Sequence, residues 1–274
     1  MTERGAGQKV RDSLVGIVRG AGDVLEATVQ ETRQVTVAAL QGTGDVAKAA
    51  TGLAGDVVSG ALGAAQEVGG DVGSIAKGAV VGVVKGVGEV MTVSVGVVSD
   101  AVRAAVKGTS AAGTDVAEAS SGLAQSVIGA TKDTALGLED AAVGVARGAV
   151  AGARDVGGDL GATAKGAVSG SLRGAKDIGG DAIEAARATT AGLVSATADV
   201  GGDVAGVTRN AIVGAIQTAK TVGVSAEDAA SAAASGAMEA AQEVGESAVK
   251  AVTGVTSEAI EGVKVVVKTP FKKS

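Results

Sequence analysis

The groups able to do polar chemistry in this chain are few in kind. There are 30 Asp and Glu and 24 Lys and Arg, but no Cys, His, Trp or Tyr and a single Phe. Without Cys or His there is no disulfide, no thiolate or imidazole metal ligand, and no Ser-His-Asp triad. A phosphate-cradling loop of the Gly-Lys-Ser/Thr type is excluded because Gly-Lys occurs nowhere. Carboxylates do recur in pairs four residues apart: Glu67/Asp71, Asp155/Asp159, Asp177/Asp181 and Asp199/Asp203. Two carboxylates are sufficient for general acid–base hydrolysis, but only in a concave pocket. A chain dominated by Ala, Val and Gly is not expected to build one. We expect no enzyme, no metal and no cofactor.

The charged residues instead follow a pattern. One column is basic: Lys77, Lys132, Arg154, Lys165, Lys176, Arg187, Arg209 and Lys220. Another set is acidic: Asp71, Asp155, Asp159, Asp177, Asp181, Asp199 and Asp203. Every member fits an 11-residue grid. Gly-Gly-Asp ends at Asp71, Asp159, Asp181 and Asp203, at separations that are multiples of 11. Residues 68–265 divide into eighteen consecutive 11-residue blocks without an insertion, and residues 9–63 into five more. The four residues 64–67 are a phase step that leaves the apolar stripe continuous. Residues 1–8 and the basic segment 266–274 are tails. One column alternates between acid and Gly170, Gly192 or Gly214, so the full unit is 22 residues over much of the chain.

Eleven residues in three turns is close to the α-helical period, so the repeat predicts helix. On that wheel the apolar positions form one arc of about half the circumference. Only one proline is present, Pro270, and polar turn clusters are missing. The expectation is therefore an all-α protein with one very long, nearly continuous amphipathic helix. At 1.5 Å per residue it would run to about 385 Å. A hairpin at a Gly-rich stretch stays open. With 45 glycines, each costing about 1 kcal/mol relative to Ala, such a helix needs its stripe buried, and a lone copy in water is expected to be largely disordered.

Two sequence features indicate how the burial would occur. Gly78/Gly82/Gly86, Gly144/Gly148/Gly152 and Gly166/Gly170/Gly174 are glycine zippers, in which four-residue spacing lines up sites of close helix approach. The basic column borders one edge of the apolar arc and the acidic columns lie toward the other. Side-by-side parallel neighbours would set basic edge against acidic edge, whereas antiparallel ones would oppose like charges. This predicts parallel lateral association of copies into a barrel, tube or filament. The net charge is −6, and stacking aromatics are lacking, which argues against nucleic acid. The N-terminal MTERGAGQKVRDSLVG lacks an apolar signal-peptide core, and the longest uncharged run is residues 119–131, too short for a conventional spanning helix. A cytoplasmic or peripherally membrane-associated location follows. Lys264, Lys268, Lys272 and Lys273 around Phe271 are candidates for contact with anionic headgroups.

The repeat resembles those of other 11-residue-repeat helical proteins: hendecad coiled coils, synucleins, apolipoproteins and late-embryogenesis-abundant proteins. The stretch GSIAKGAVVGVVKGVGEV, residues 73–90, is synuclein-like in flavour. Synuclein repeats, however, have a KTKEGV-like core and lysines on both borders. Apolipoprotein repeats are often punctuated by proline, and late-embryogenesis-abundant proteins are hydrophilic, whereas mean hydropathy here is +0.36. Self-assembling hendecad coiled coils fit with fewest departures. The resemblance implies a non-enzymatic structural protein whose main partner is itself, with lipid as a second candidate surface. The alternatives are a monomeric membrane- or lipid-droplet-binding protein and a stress-protective helix.

Overall fold

The computed structural model describes residues 5–18, 23–42 and 46–267. Among them are twelve α-helices: α1 (Ala6–Val18), α2 (Val24–Gln41), α3 (Val46–Val68), α4 (Val72–Val90), α5 (Val95–Ala111), α6 (Val116–Ala130), α7 (Leu138–Asp155), α8 (Leu160–Asp177), α9 (Ala182–Asp199), α10 (Val204–Val222), α11 (Ala226–Val244) and α12 (Glu246–Thr256). A 3-10 turn, Thr131–Asp133, follows α6. No described helix is long and apolar enough to cross a membrane. The all-α expectation holds, but the nearly continuous helix does not.

Four of the breaks, α3–α4, α7–α8, α8–α9 and α9–α10, fall on the Gly-Gly-Asp strings. Their first glycines, Gly69, Gly157, Gly179 and Gly201, have φ of 68–69°. This left-handed conformation is costly for residues with a Cβ and ends a helix. The second glycine then closes the turn, as its N–H donates to the carbonyl five residues back. Gly158 to Ala153, Gly180 to Ala175 and Gly202 to Thr197 are each 2.8 Å. This is the Schellman motif. The aspartate next in line caps the following helix. Asp159 accepts from the N–H groups of Gly161 and Ala162 at 2.8 and 3.1 Å, and Asp181 from Ile183 and Glu184 at 2.9 and 3.1 Å. Two glycines and one acid thus stop one helix and start the next. The turn signal was in the sequence, hidden because an 18-residue helix and its 4-residue linker together fill two hendecads. The like-charge pairs lose their conflict as well: Asp155 closes α7, and Asp159 lies outside it.

Short linkers make successive helices antiparallel, so every second helix is parallel. Each helix packs against its chain neighbours and against the helices two places before and after it. Odd-numbered helices form one layer and even-numbered helices the other, as in an α-solenoid. The wide apolar arc is needed because each interior helix meets two same-layer neighbours and the facing layer. Lateral parallel packing occurs, therefore, between helices of one chain. The glycine penalty of tens of kcal/mol is opposed by burial of the stripe within one chain. The core is built of small residues; Ala141, Ala142, Val145, Ala146, Ala149 and Val150 of α7 are fully buried.

The outermost described helices differ from those between them. On α1, Gln8, Lys9, Arg11, Asp12 and Ser13 are exposed, and on α2, Glu26, Gln30, Gln34 and Gln41. At the other end the chain turns at Glu261 and Gly262, with φ of 51° and 76°, a type I′ geometry. Ile260 and Val263 exchange backbone hydrogen bonds of 3.0 and 2.8 Å. The extended strap that follows buries Val265, and the Val266 N–H donates to Ser231 Oγ of α11 at 3.2 Å. Residues 229–238 of α11 are buried without a break. The phase step 64–67 lies inside α3, which at 23 residues is about one turn longer than the 18-residue α7, α8 and α9.

Candidate functional site

The zipper glycines mark where parallel helices cross. Gly78, Gly82 and Gly86 of α4 sit on Thr28, Thr32 and Thr36 of α2. The three threonines bury their hydroxyls by donating to carbonyls four residues back, at 2.7 Å each. Gly144, Gly148 and Gly152 of α7 sit on Val98, Val102 and Val106 of α5. Gly166, Gly170 and Gly174 of α8 lie against Ala117, Ser121 and Gln125 of α6. A Cβ on Gly148 would stand 2.5 Å from the Ser99 carbonyl oxygen, and one on Gly174 would stand 2.7 Å from that of Gln125. Side chains are thus excluded by backbone, which cannot swing aside.

The charged edges also meet within the chain. Arg103 of α5 donates to Asp155 of α7 at 2.7 and 3.1 Å, and Lys107 adds a contact at 3.5 Å. Gln125 of α6 donates to Asp177 of α8 at 2.7 Å. Arg11–Glu67 at 2.8 Å joins α1 to α3, and Arg33–Glu89 at 3.2 Å joins α2 to α4. Arg187 donates to Glu184 on its own helix at 2.6 and 2.9 Å, and reaches Glu139 of α7 at 3.7 Å and Glu239 of α11. It therefore ties three helices of the odd layer together. Arg209 pairs with Glu258 at 3.1 Å. The Arg103 hydrogen bond holds the Asp155 carboxyl below the ordinary carboxylate range. Hydrogen bonds to Glu184 lead the causes that push Arg187 above its usual value.

The remaining members of the two columns serve helix ends or solvent. Asp71, Asp159, Asp181 and Asp203 are N-caps. The Ser74 hydroxyl and N–H, both donating to Asp71, lower its pKa. Arg154, Lys176 and Lys220 occupy the last turns of α7, α8 and α10, where the helix dipole favours cations. Lys77 and Lys165 are sixth in α4 and α8, and Lys132 lies in the 3-10 turn. Among the described residues these six cations and Asp199 form no ion pair. Lys268, Phe271, Lys272 and Lys273 lie outside the described residues. Sequence reasoning missed Arg11, Arg33 and Arg103 as edge cations. The signal available was spacing: Arg103–Asp155, Gln125–Asp177 and Arg187–Glu239 are each 52 residues apart, two 22-residue units plus about two turns.

The small-residue wall does form concave surface, contrary to expectation. A cleft of about 550 Å³ between α3 and α5 is lined by Asp56, Ser59, Gln66, Asp100, Arg103 and Lys107, among others. Burial pushes the Asp100 carboxyl up. A second cleft of about 280 Å³ lies among α2, α4 and α6, with Glu26, Lys77, Lys85, Ser126 and Asp133 in its walls. Among the described residues no group of three or more acidic side chains is placed to hold a metal ion. The chain matches no protein-family model and no curated protein.

Proposed function

We propose that this chain is a non-enzymatic structural protein that acts as a single self-contained helical wall, a scaffold of fixed shape. The observation that carries the reading is the use of both association devices inside one copy. The glycine faces are filled by the preceding parallel helix, and Arg103, Arg187, Arg11 and Arg33 meet their acids on neighbouring helices of the same chain. Among the described residues few large apolar side chains are left exposed: Leu25, Val156, Val244 and Val266. They are scattered, which is ordinary for a monomer. The accessible surface of 11,696 Å² is close to the about 10,500 Å² expected of a compact monomer of this mass. Parallel association of copies would have to use surfaces other than the apolar arc. Sedimentation velocity with circular dichroism in lipid-free buffer tests the reading. A highly helical species of one-chain mass is expected; large particles, or a disordered monomer, would overturn it.

A second reading, a lipid-surface protein, is favoured by one observation. The 11-residue phase runs unbroken through the linkers between residues 68 and 265. Opened hairpins would therefore lay their apolar faces along one side of a surface-bound helix. Adding anionic phospholipid vesicles separates the two readings. The scaffold leaves helicity and hydrodynamic size unchanged, whereas the lipid-binding protein co-sediments with the vesicles.

A further inference from the structure

We propose that the wall flexes at one seam, between the hairpins α3–α4 and α5–α6, and that Ala104 and Ser126 create the hinge. The position at which a helix crosses its parallel predecessor recurs every 22 residues. It is occupied in turn by Gly60, Gly82, Ala104, Ser126, Gly148, Gly170, Gly192, Gly214 and Gly236. Seven of the nine are glycine, and the two exceptions belong to the same hairpin.

The geometry follows from those two side chains. At Gly148, Gly170, Gly192, Gly214 and Gly236 the carbonyl beneath belongs to the residue 49 positions earlier: Ser99, Ser121, Val143, Lys165 and Arg187. A Cβ on Gly214 would stand 2.7 Å from the Lys165 oxygen, and one on Gly192 would stand 2.9 Å from Ala146 Cβ. These interfaces close to backbone contact. Where the crossing residue carries a Cβ, the helices cannot approach so far, and both layers part at this seam. Ala104 lines the 550 Å³ cleft between α3 and α5, and Ser126 the 280 Å³ cleft among α2, α4 and α6, although clefts of about 450 and 350 Å³ also lie at the glycine-crossed α1–α3 and α9–α11 interfaces.

Two further features leave the seam weakly fastened. Among the described residues no ion pair joins α3 to α5, although every other neighbouring pair of odd-layer helices from α1 to α11 is so joined; in the even layer α6–α8 and α8–α10 also lack one. The even layer is joined near the seam by Lys85–Asp133 at 3.0 Å, where the acid lies on the 3-10 turn beyond α6. The α4–α5 linker also departs from the glycine turn. Met91 is extended, at φ −157° and ψ 172°, and Ser94 caps α5 through a single 3.4 Å bond. Crossings held off by Cβ atoms, an odd-layer interface without an ion pair and an extended connection are the marks of a segment that opens first. The wall thus consists of a block α1–α4 and a block α5–α12 that change their mutual angle there.

The chain has no cysteine, so spin labels can be placed at will on the full-length protein. One pair, Ser59→Cys with Lys107→Cys, spans the α3–α5 cleft. A control pair, Lys176→Cys with Lys220→Cys, spans the tight α8–α10 interface. Pulsed electron paramagnetic resonance is expected to give a distance distribution about twice as broad at the seam as in the control. Adding Ala104→Gly and Ser126→Gly is expected to narrow the seam distribution to the control width. A converse variant covers the case in which the double glycine chain folds poorly: Gly214→Ala is expected to broaden the control pair. Equal widths at the two interfaces would overturn the hinge. So would a seam width unchanged by glycine in a folded variant, or a control width unchanged by Gly214→Ala.

Discussion

Replacing Gly148 by alanine sets two effects of known sign against each other. In a helix without neighbours the change is favourable by about 1 kcal/mol, because alanine has the higher helix propensity. In the folded wall the new Cβ would lie 2.5 Å from the Ser99 oxygen, 2.7 Å from Val102 Cβ and 3.0 Å from Val102 Cγ1. Relieving those contacts requires α7 to withdraw from α5 by roughly 0.5–1 Å, an overpacking that costs about 1–3 kcal/mol. The withdrawal also loosens the flanking contacts at Gly144 and Gly152. We expect net destabilisation of about 1–2 kcal/mol, the overpacking loss exceeding the propensity gain. Gly52 of α3 is the control, since a Cβ there meets nothing within 4 Å, and Gly52→Ala is expected to stabilise by up to about 1 kcal/mol. Urea unfolding followed by circular dichroism measures both, with local hydrogen exchange on α5 and α7 because repeat proteins need not unfold in one step. If Gly148→Ala stabilised as much as Gly52→Ala, no helix would cross at Gly148 and the reasoning would fail.

Two further expectations concern the linkers and the ion pairs. Gly179, at φ 69°, should tolerate alanine poorly, with a loss of about 1 kcal/mol; Asp181→Ala should cost a similar about 1 kcal/mol, while Asp181→Asn should be nearly neutral because Asn caps as well. Equal thermal melts for Asp181→Ala and Asp181→Asn would contradict the cap. Asp155 has a folded pKa below its unfolded value, so its contribution is present above about pH 4 and is lost as pH falls through the lowered folded value. The stability difference between wild type and Asp155→Asn should therefore be constant from pH 5 to 8 and shrink in stronger acid; a difference that grew in acid would contradict the Arg103–Asp155 pair.

Helix content and the amphipathic stripe were legible in the sequence, whereas two of the cations that pair across the odd layer, Arg11 and Arg103, were not in the basic column. What misled was the phase. A chain of separate 22-residue units and one unbroken helix yield the same hendecad pattern when linker and helix together make six turns. The distinction rested on Gly157-Gly158-Asp159 and its equivalents, which are punctuation once the left-handed glycine and the capping aspartate are considered together. The aspartate pairs four apart pointed the same way, since no single helix gains by setting Asp155 beside Asp159. That Arg103 reaches Asp155 depends on how far parallel helices slide past each other, a quantity set by packing at Gly148 and Ser99. The last 11-residue block, residues 255–265, carried the helical phase past the end of α12 at Thr256 into a turn and an extended strap over α11.

The separation of Lys176 and Lys220 tests the folded-back wall most directly. The two residues are 44 positions apart, exposed, and in the last turns of α8 and α10. Parallel helices in contact have axes about 8–10 Å apart, so labels at the two sites should lie within roughly 10–20 Å of each other. One continuous helix would separate them by about 66 Å at 1.5 Å per residue. Cysteines at both positions, spin-labelled and diluted with unlabelled protein, report the distance within one chain. A short distance is the result expected of a helical wall built from a single copy; a distance near 66 Å would contradict it.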